Sequence, residues 1–559
     1  MVCAARHSFR LLIFLSAAIP VAAQQPVVVR VHADVPQGAF RAVWNYFGYD
    51  EPNYTYSEHG KKLVGEISRV GSEPAYIRTH NLLTTGNGTP ALKWGSTNAY
   101  TEDASSHGVY DWTVVDRIFD TYRAAGAKPL VEIGFMPKAL SVHPDPYRHN
   151  WPQGPLWTGW SYPPKDYGKW GELVYRWVLH CAQRYGRDQV ASWYWEVWNE
   201  PDIGYWQGTP EEYNKLYDYA ADAVKRALPA ARVGGPATTD PSNPKAGQFL
   251  DAFLTHCERG TNEATGKRGS PLDFISFHVK GRTAMEDGRP EMAAGHQLLN
   301  MSKGFEIVRR HPQLSRLPII LSESDPEGCA ACVATKYPQN EYRNTAQYAS
   351  YEAEVLQHAL ELADEDRVNL AGLVTWAFEF EDQPYFVGFR TLATNGIDKP
   401  VLNVFRMFGL MGSQRIAAES PGALTVDGVI GSGVRNRQDL GALATRDARR
   451  ISVLIWNYSD DSAPGPVSPV QLKIDGVPES AGRVRVAHYR IDDDHSNSFT
   501  AWKAMGSPEQ PTPEQYSAIE AAGKLQVLGP PRWYRASGGK FELTFSLPRQ
   551  AVSLVALDW

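Results

Sequence analysis

Eight apolar, β-branched or aromatic runs alternate with eight amphipathic stretches between residues 41 and 411. That alternation limits the fold more than any other feature of the chain. The runs expected as strands are 41–46, 75–80, 128–135, 194–200, 231–237, 272–279, 317–323 and 370–378. The expected helices are 61–70, 112–125, 164–185, 210–228, 248–259, 291–310, 344–362 and 399–411. Near-continuous apolar strands are buried on both faces, as parallel strands wrapped by helices are. The pattern predicts an α/β fold of the (β/α)8 TIM-barrel type. A doubly wound open sheet is the alternative, but nothing resembles its Gly-rich phosphate turn.

From about residue 415 the pattern changes. Short strands at 451–458, 470–474, 484–489, 540–545 and 552–557 are separated by Gly, Pro, Asp and Ser turns, which predicts a C-terminal β-sandwich. Val27–Val31 reads as an extra strand that joins this later sheet. The expected division is therefore 24–40 for the joining strand, 41–414 for the barrel and 415–559 for the sandwich. Residues 1–23 read as a secretory signal peptide: Arg6 and Arg10 precede the apolar run Leu11 to Ala18, and small residues follow at Val21-Ala22-Ala23. A secreted or periplasmic location follows as an expectation. Removing this leader takes away two cations and no anions, so the formal charge of −6 becomes about −8. No basic face stands out, which argues against a nucleic-acid partner. No apolar stretch is long enough for a membrane span. Cys329-Ala-Ala-Cys332 is expected to close a local disulfide rather than a redox or zinc site. Asn53, Asn87, Asn300 and Asn457 stand in glycosylation sequons.

Barrel enzymes hold their chemistry at the C-terminal tips of their strands. Here those tips read Arg78-Thr79-His80, Asn199-Glu200, His278 with Lys280, and Ser322-Glu323-Ser324-Asp325. Two carboxylates on different strands, Glu200 and Glu323, suit glycoside hydrolysis. One hands a proton to the leaving oxygen while the other attacks the anomeric carbon. Arg78 is expected to keep Glu323 ionised, and Trp195 or Trp198 to keep Glu200 dry and protonated. Asn199 is placed to meet a sugar hydroxyl. Glu132 and Glu196 lie within strands and are expected to be buried ion-pair partners. Asp492-Asp493-Asp494-His495 is read as a solvated turn, so no metal is expected. No cofactor is expected either.

The run Trp195-Glu196-Val197-Trp198-Asn199-Glu200-Pro201 resembles the acid/base signature of glycoside hydrolase family 39, which contains β-xylosidases and α-L-iduronidases. Arg78-Thr79-His80, Asp273-Phe274-Ile275-Ser276-Phe277-His278, Lys399-Pro400-Val401-Leu402 and His488-Tyr489-Arg490-Ile491-Asp492 are also similar to that family, in order along the chain. The resemblance implies a retaining mechanism with Glu200 as acid/base and Glu323 as nucleophile. It implies that Asn199 binds the sugar 2-hydroxyl and that His278 touches substrate. Arg78, His80, Lys280, Trp376, Glu381, Asp382 and Arg390 complete the expected substrate contacts. Ser322-Glu323-Ser324-Asp325-Pro326 departs from many xylosidases towards the iduronidase branch, and Lys280 and Arg390 also look like iduronidase positions. The two sugars differ at C5, where iduronate carries a carboxylate and xylose only hydrogens. A cation beside C5 is therefore the discriminator, with Arg390 and Lys280 as candidates and Glu381 and Asp382 as groups that would cancel Arg390. The expected substrate is a xylo-oligosaccharide cleaved from its non-reducing end. An iduronidase-like activity is the alternative, and a non-catalytic carbohydrate-binding protein is the reading from another class.

Overall fold

A computed structural model describes residues 25–149 and 156–559. The expected leader lies outside the described residues. Eight parallel strands close a barrel: Tyr46–Tyr49, Tyr76–Thr79, Lys128–Ile133, Tyr194–Val197, Arg232–Thr238, Phe274–Lys280, Pro318–Asp325 and Asn369–Trp376. Closure is direct, with Val374, Thr375 and Trp376 of the eighth strand in register with Tyr46, Phe47 and Gly48 of the first. A helix follows each strand, and the caps explain where they begin. In Pro210–Ala227, Thr209 and Glu212 form a reciprocal capping box, Pro opens the first turn, and Lys225 and Arg226 sit in the last. The helices bury large aromatics against the barrel, as where Trp177 meets Trp195 edge-on at 5.5 Å.

Two strands differ most from expectation. The first runs Tyr46–Tyr49, not 41–46, because residues 41–45 fold into tight turns with Val43 N–H on Arg41 O and Asn45 N–H on Ala42 O. The fourth ends at Val197, not Glu200. Trp198 and Glu200 take left-handed backbone, φ 74° and 46°, which an extended strand cannot contain. Their amides are still satisfied, Trp198 N–H by Ile133 O and Glu200 N–H by Ala237 O.

A ten-stranded sheet forms the second layer system. Val27–Ala39 joins it, antiparallel to Gln414–Glu419 and parallel to Ser468–Asp475. The sheet folds over on itself. Tyr534 meets Phe541 at 5.7 Å and His488 meets Phe545 at 4.7 Å, although their strands lie far apart in the sheet order. A separate apolar core including Val29, Val453, Leu472 and Val555 fills the space between. Strand Ala442–Asp447 was not expected. Its Ala-rich sequence has little strand preference of its own, and pairing on both sides holds it extended.

Cys329 and Cys332 form a disulfide, and Cys181 and Cys257 are buried thiols. Of the four sequon asparagines, Asn53, Asn300 and Asn457 are buried and Asn87 is exposed. Asp492 closes its own turn, accepting from Asp494 N–H and His495 N–H and pairing with Arg490. No described helix is long and apolar enough to cross a membrane.

Candidate active site

Strand alternation sets the inner lining of the barrel. In the fourth strand Glu196 points inward and Trp195 outward against the helices. Trp195 therefore does not dry Glu200, which leaves Trp198 of the two tryptophans expected there. Arg78, fully buried on the second strand, is the hub of the inner layer. It pairs with Glu196 at 2.5 Å, Glu132 at 3.3 Å and Glu323 at 3.1 Å, and donates to Asn199 Oδ1 at 3.0 Å. With those contacts its guanidinium is engaged by protein, and it orients Asn199 so that the amide nitrogen remains to meet a ligand. Glu132 and Glu196 are thus ion-pair partners.

Glu323 sits among cations. Its Oε1 is 3.1 Å from Arg78 and 3.2 Å from His80, and its Oε2 is 2.7 Å from Lys280. Burial alone would raise its pKa, but Lys280, with the charged His80 beside it, outweighs burial and holds the carboxyl well below the usual range. His80 is itself held from behind by Asp50 at 2.8 Å. Burial pulls the ring towards neutrality, but Glu132, Asp50 and Glu323 push its pKa up to about 10, so it is charged. Asp50 is in turn paired with Lys93. Trp376 floors this group, 4.4 Å from the His80 ring and 4.9 Å from the Arg78 guanidinium.

Glu200 has the opposite environment. Burial and the negative charge of Glu323 raise its pKa to about 8. Among the described residues its one close polar partner is His278 Nδ1, at 2.9 Å from Oε1. His278 is fully buried, and burial lowers its pKa to about 3, so it is neutral and adds no compensating charge. Carboxylate oxygens of Glu200 and Glu323 and a ring nitrogen of His278 lie within 4.8 Å of one another. Trp198 helps shape the Glu200 turn through its Nε1–H bond to Tyr205 O, and Phe135 stacks on Tyr205 at 5.6 Å. The result is two carboxyls facing one space, one proton-bearing and one ionised at neutral pH.

Three expected contacts fall elsewhere. Glu381 caps helix Glu58–Ile67, its Oε1 accepting from Gly60 N–H and Ser57 and its Oε2 meeting His59 at 2.9 Å. Both oxygens are used, so the expected sugar contact gives way to a helix cap. Asp382 lies exposed on the same loop in left-handed backbone. Arg390 is 1% exposed and is bound by protein carboxylates, Glu327 at 2.8 Å and Asp325 at 3.4 Å, rather than by Glu381 and Asp382 as expected. Lys280 bridges Glu323 and Asp325. Asp50, Asp325 and Glu327 were not assigned roles from sequence. Asp50 directly follows the first strand, whose end was placed three residues early at Tyr46.

The sequence model of glycosyl hydrolases family 39 matches residues 27–540. A β-xylosidase of Geobacillus stearothermophilus is 28% identical over 523 residues, 90% of this chain and 89% of the relative. An α-L-iduronidase of Canis lupus familiaris is 30% identical over 414 residues, 69% of this chain and 59% of the relative. Among solved structures, a bacterial orthologue of human α-L-iduronidase superposes with a TM-score of 0.77 at 20% identity, covering 96% of this chain and 84% of that one. A monomeric β-xylosidase from Caulobacter crescentus superposes at 0.74 and 21% identity, covering 95% and 99%.

Proposed function

The chain belongs to glycosyl hydrolases family 39, and from that premise we propose that it is a retaining exo-glycosidase releasing β-1,4-linked xylose from the non-reducing ends of xylo-oligosaccharides. The observation that carries the retaining mechanism is the approach of the Glu200 and Glu323 oxygens to within 4.8 Å. Retaining enzymes hold their carboxyls about 5–5.5 Å apart, whereas inverting ones leave about 6.5–9.5 Å for a water between them. A Glu323 oxygen attacks the anomeric carbon as the bond to the leaving oxygen breaks, and Glu200 gives that oxygen its proton. Sugar and Glu323 are then joined as an ester. Glu200, now a carboxylate, takes a proton from water as that water attacks the anomeric carbon. The ester bond breaks and both glutamates return to their starting states. Arg78, His80 and Lys280 keep the nucleophile ionised, and Asn199, fixed by Arg78, meets the 2-hydroxyl.

The charge balance around Lys280 and Arg390 supports xylose. Lys280, Arg390 and Arg343 are matched there by Glu323, Asp325 and Glu327. A uronate carboxylate entering this group would make anions the majority. One observation favours the iduronide reading instead: Lys280 and Arg390 converge on Asp325, and a substrate carboxylate could replace it as their acceptor. Substrate comparison separates the two. An aryl β-xyloside is expected to be cleaved with a kcat/KM at least ~100-fold above that of an aryl α-L-iduronide, a gap of nearly 3 kcal/mol in transition-state binding. The reverse order would replace the xylosidase reading. The disulfide and the N-terminal leader pattern support export to the periplasm or medium.

A further inference from the structure

We propose that Arg343 is a positioning residue for the reaction, tying the Cys329–Cys332 loop to the chain of charges that ends on Glu323. The inference rests on the nucleophile reading of Glu323. The chain alternates in sign and is buried or nearly so throughout. Glu323 meets Lys280 at 2.7 Å, Lys280 meets Asp325 at 2.5 Å, and Asp325 meets Arg390 at 3.4 Å. Arg390 meets Glu327 at 2.8 Å and Glu327 meets Arg343 at 2.7 Å. Arg343 is its far end and its anchor. One guanidinium nitrogen donates to Cys329 O at 2.6 Å, and another to Cys332 O at 2.6 Å and Gly388 O at 2.9 Å. Both ends of the disulfide-closed turn are thus held by a single side chain. Glu327 is seated on the same turn, accepting from Cys329 N–H at 2.7 Å.

The physical consequence lies in sharing. Glu327 is shared between Arg343 and Arg390, and Asp325 between Arg390 and Lys280. With Arg343 gone, Glu327 draws Arg390 towards itself and away from Asp325. Asp325 then competes harder with Glu323 for Lys280. The other charged or titratable groups facing Glu323 are Asp50 just after the first strand and its partner Lys93, Arg78 and His80 from the second strand, Glu132 from the third, Glu200 and Tyr205 beyond the fourth, and His278 from the sixth. None of these is an ion-pair partner of Arg343, Glu327 or Arg390, so they stay as they are. Glu323 loses part of one cation, and its proton is held more tightly. A role confined to stability would lower the amount of folded enzyme without moving its pH profile.

The test is the acid limb of kcat/KM for an aryl β-xyloside. In Arg343→Gln that limb is expected to move up by about one pH unit, so that activity on the acid side falls about tenfold while the plateau falls less than threefold. Arg343→Lys, which keeps the charge, should return most of the shift. The doubly substituted Cys329→Ser/Cys332→Ser enzyme loosens the same turn without touching a charge and should move the limb in the same direction. An unmoved limb in folded Arg343→Gln overturns the proposal. Should that variant not fold, the double serine enzyme decides by the same readout. Activity surviving in Glu323→Ala would instead remove the underlying nucleophile reading, so the two failures are distinguishable.

Discussion

Alanine in place of Glu323 is expected to lower kcat/KM for an aryl β-xyloside by about 10⁴-fold or more, the scale of loss when one member of a catalytic unit is removed. Glu323 is the carboxyl on which Arg78, His80 and Lys280 converge, so no neighbouring group can take its place as an ionised nucleophile. Its loss also leaves those cations short of an anion. Arg78 keeps Glu196 and Glu132, His80 keeps Asp50, and Lys280 keeps Asp325, so the fold retains paired charges. Glu323→Gln is the companion variant because it keeps the hydrogen-bonding shape and removes only the charge. Both should be inactive while folded. Azide added to Glu323→Ala should fill the vacated space and yield a glycosyl azide of inverted configuration.

Glu200→Ala is expected to split substrates by leaving group. An unactivated xylobiose should lose about 10²–10⁴-fold, the usual range for a general acid. An aryl xyloside with an acidic phenol leaves without a proton, so its first step should be nearly unaffected and a glycosyl-enzyme should accumulate. The pH profile carries the second signature. Burial and the Glu323 charge put the Glu200 pKa at about 8. The acid must be protonated to act, so wild-type activity is present below about 8 and falls as pH rises through it. That alkaline limb should vanish in Glu200→Ala. An identical limb in the variant would assign it to some other group.

Much of this site could be read from sequence because parallel strands carry a strong apolar signal and end where it stops. Glu200, Glu323, His80 and His278 were found that way. Backbone detail was less visible. Pro201 marks an ending near Glu200, but nothing in Trp198-Asn199-Glu200 announces two left-handed residues. The first strand was set early because Ala42, Val43 and Trp44 already make an apolar run before 46–49, and turn hydrogen bonds take those residues out of the strand. That shift hid Asp50 behind His80. Long-range ion pairs were the least legible. Glu381 and Arg390 looked alike as charged residues on one loop, yet one caps a helix more than 300 positions earlier and the other joins a buried chain of charges. Only the packing of distant segments separates those two fates.

The central claim is that Glu200 and Glu323 act on opposite faces of one anomeric carbon by double displacement. Proton NMR of the first sugar released from an aryl β-xyloside, recorded before mutarotation, tests this most directly. The account expects β-xylose to appear first. α-Xylose as the first product would mean single displacement by water, and would contradict the assignment of Glu323 as nucleophile.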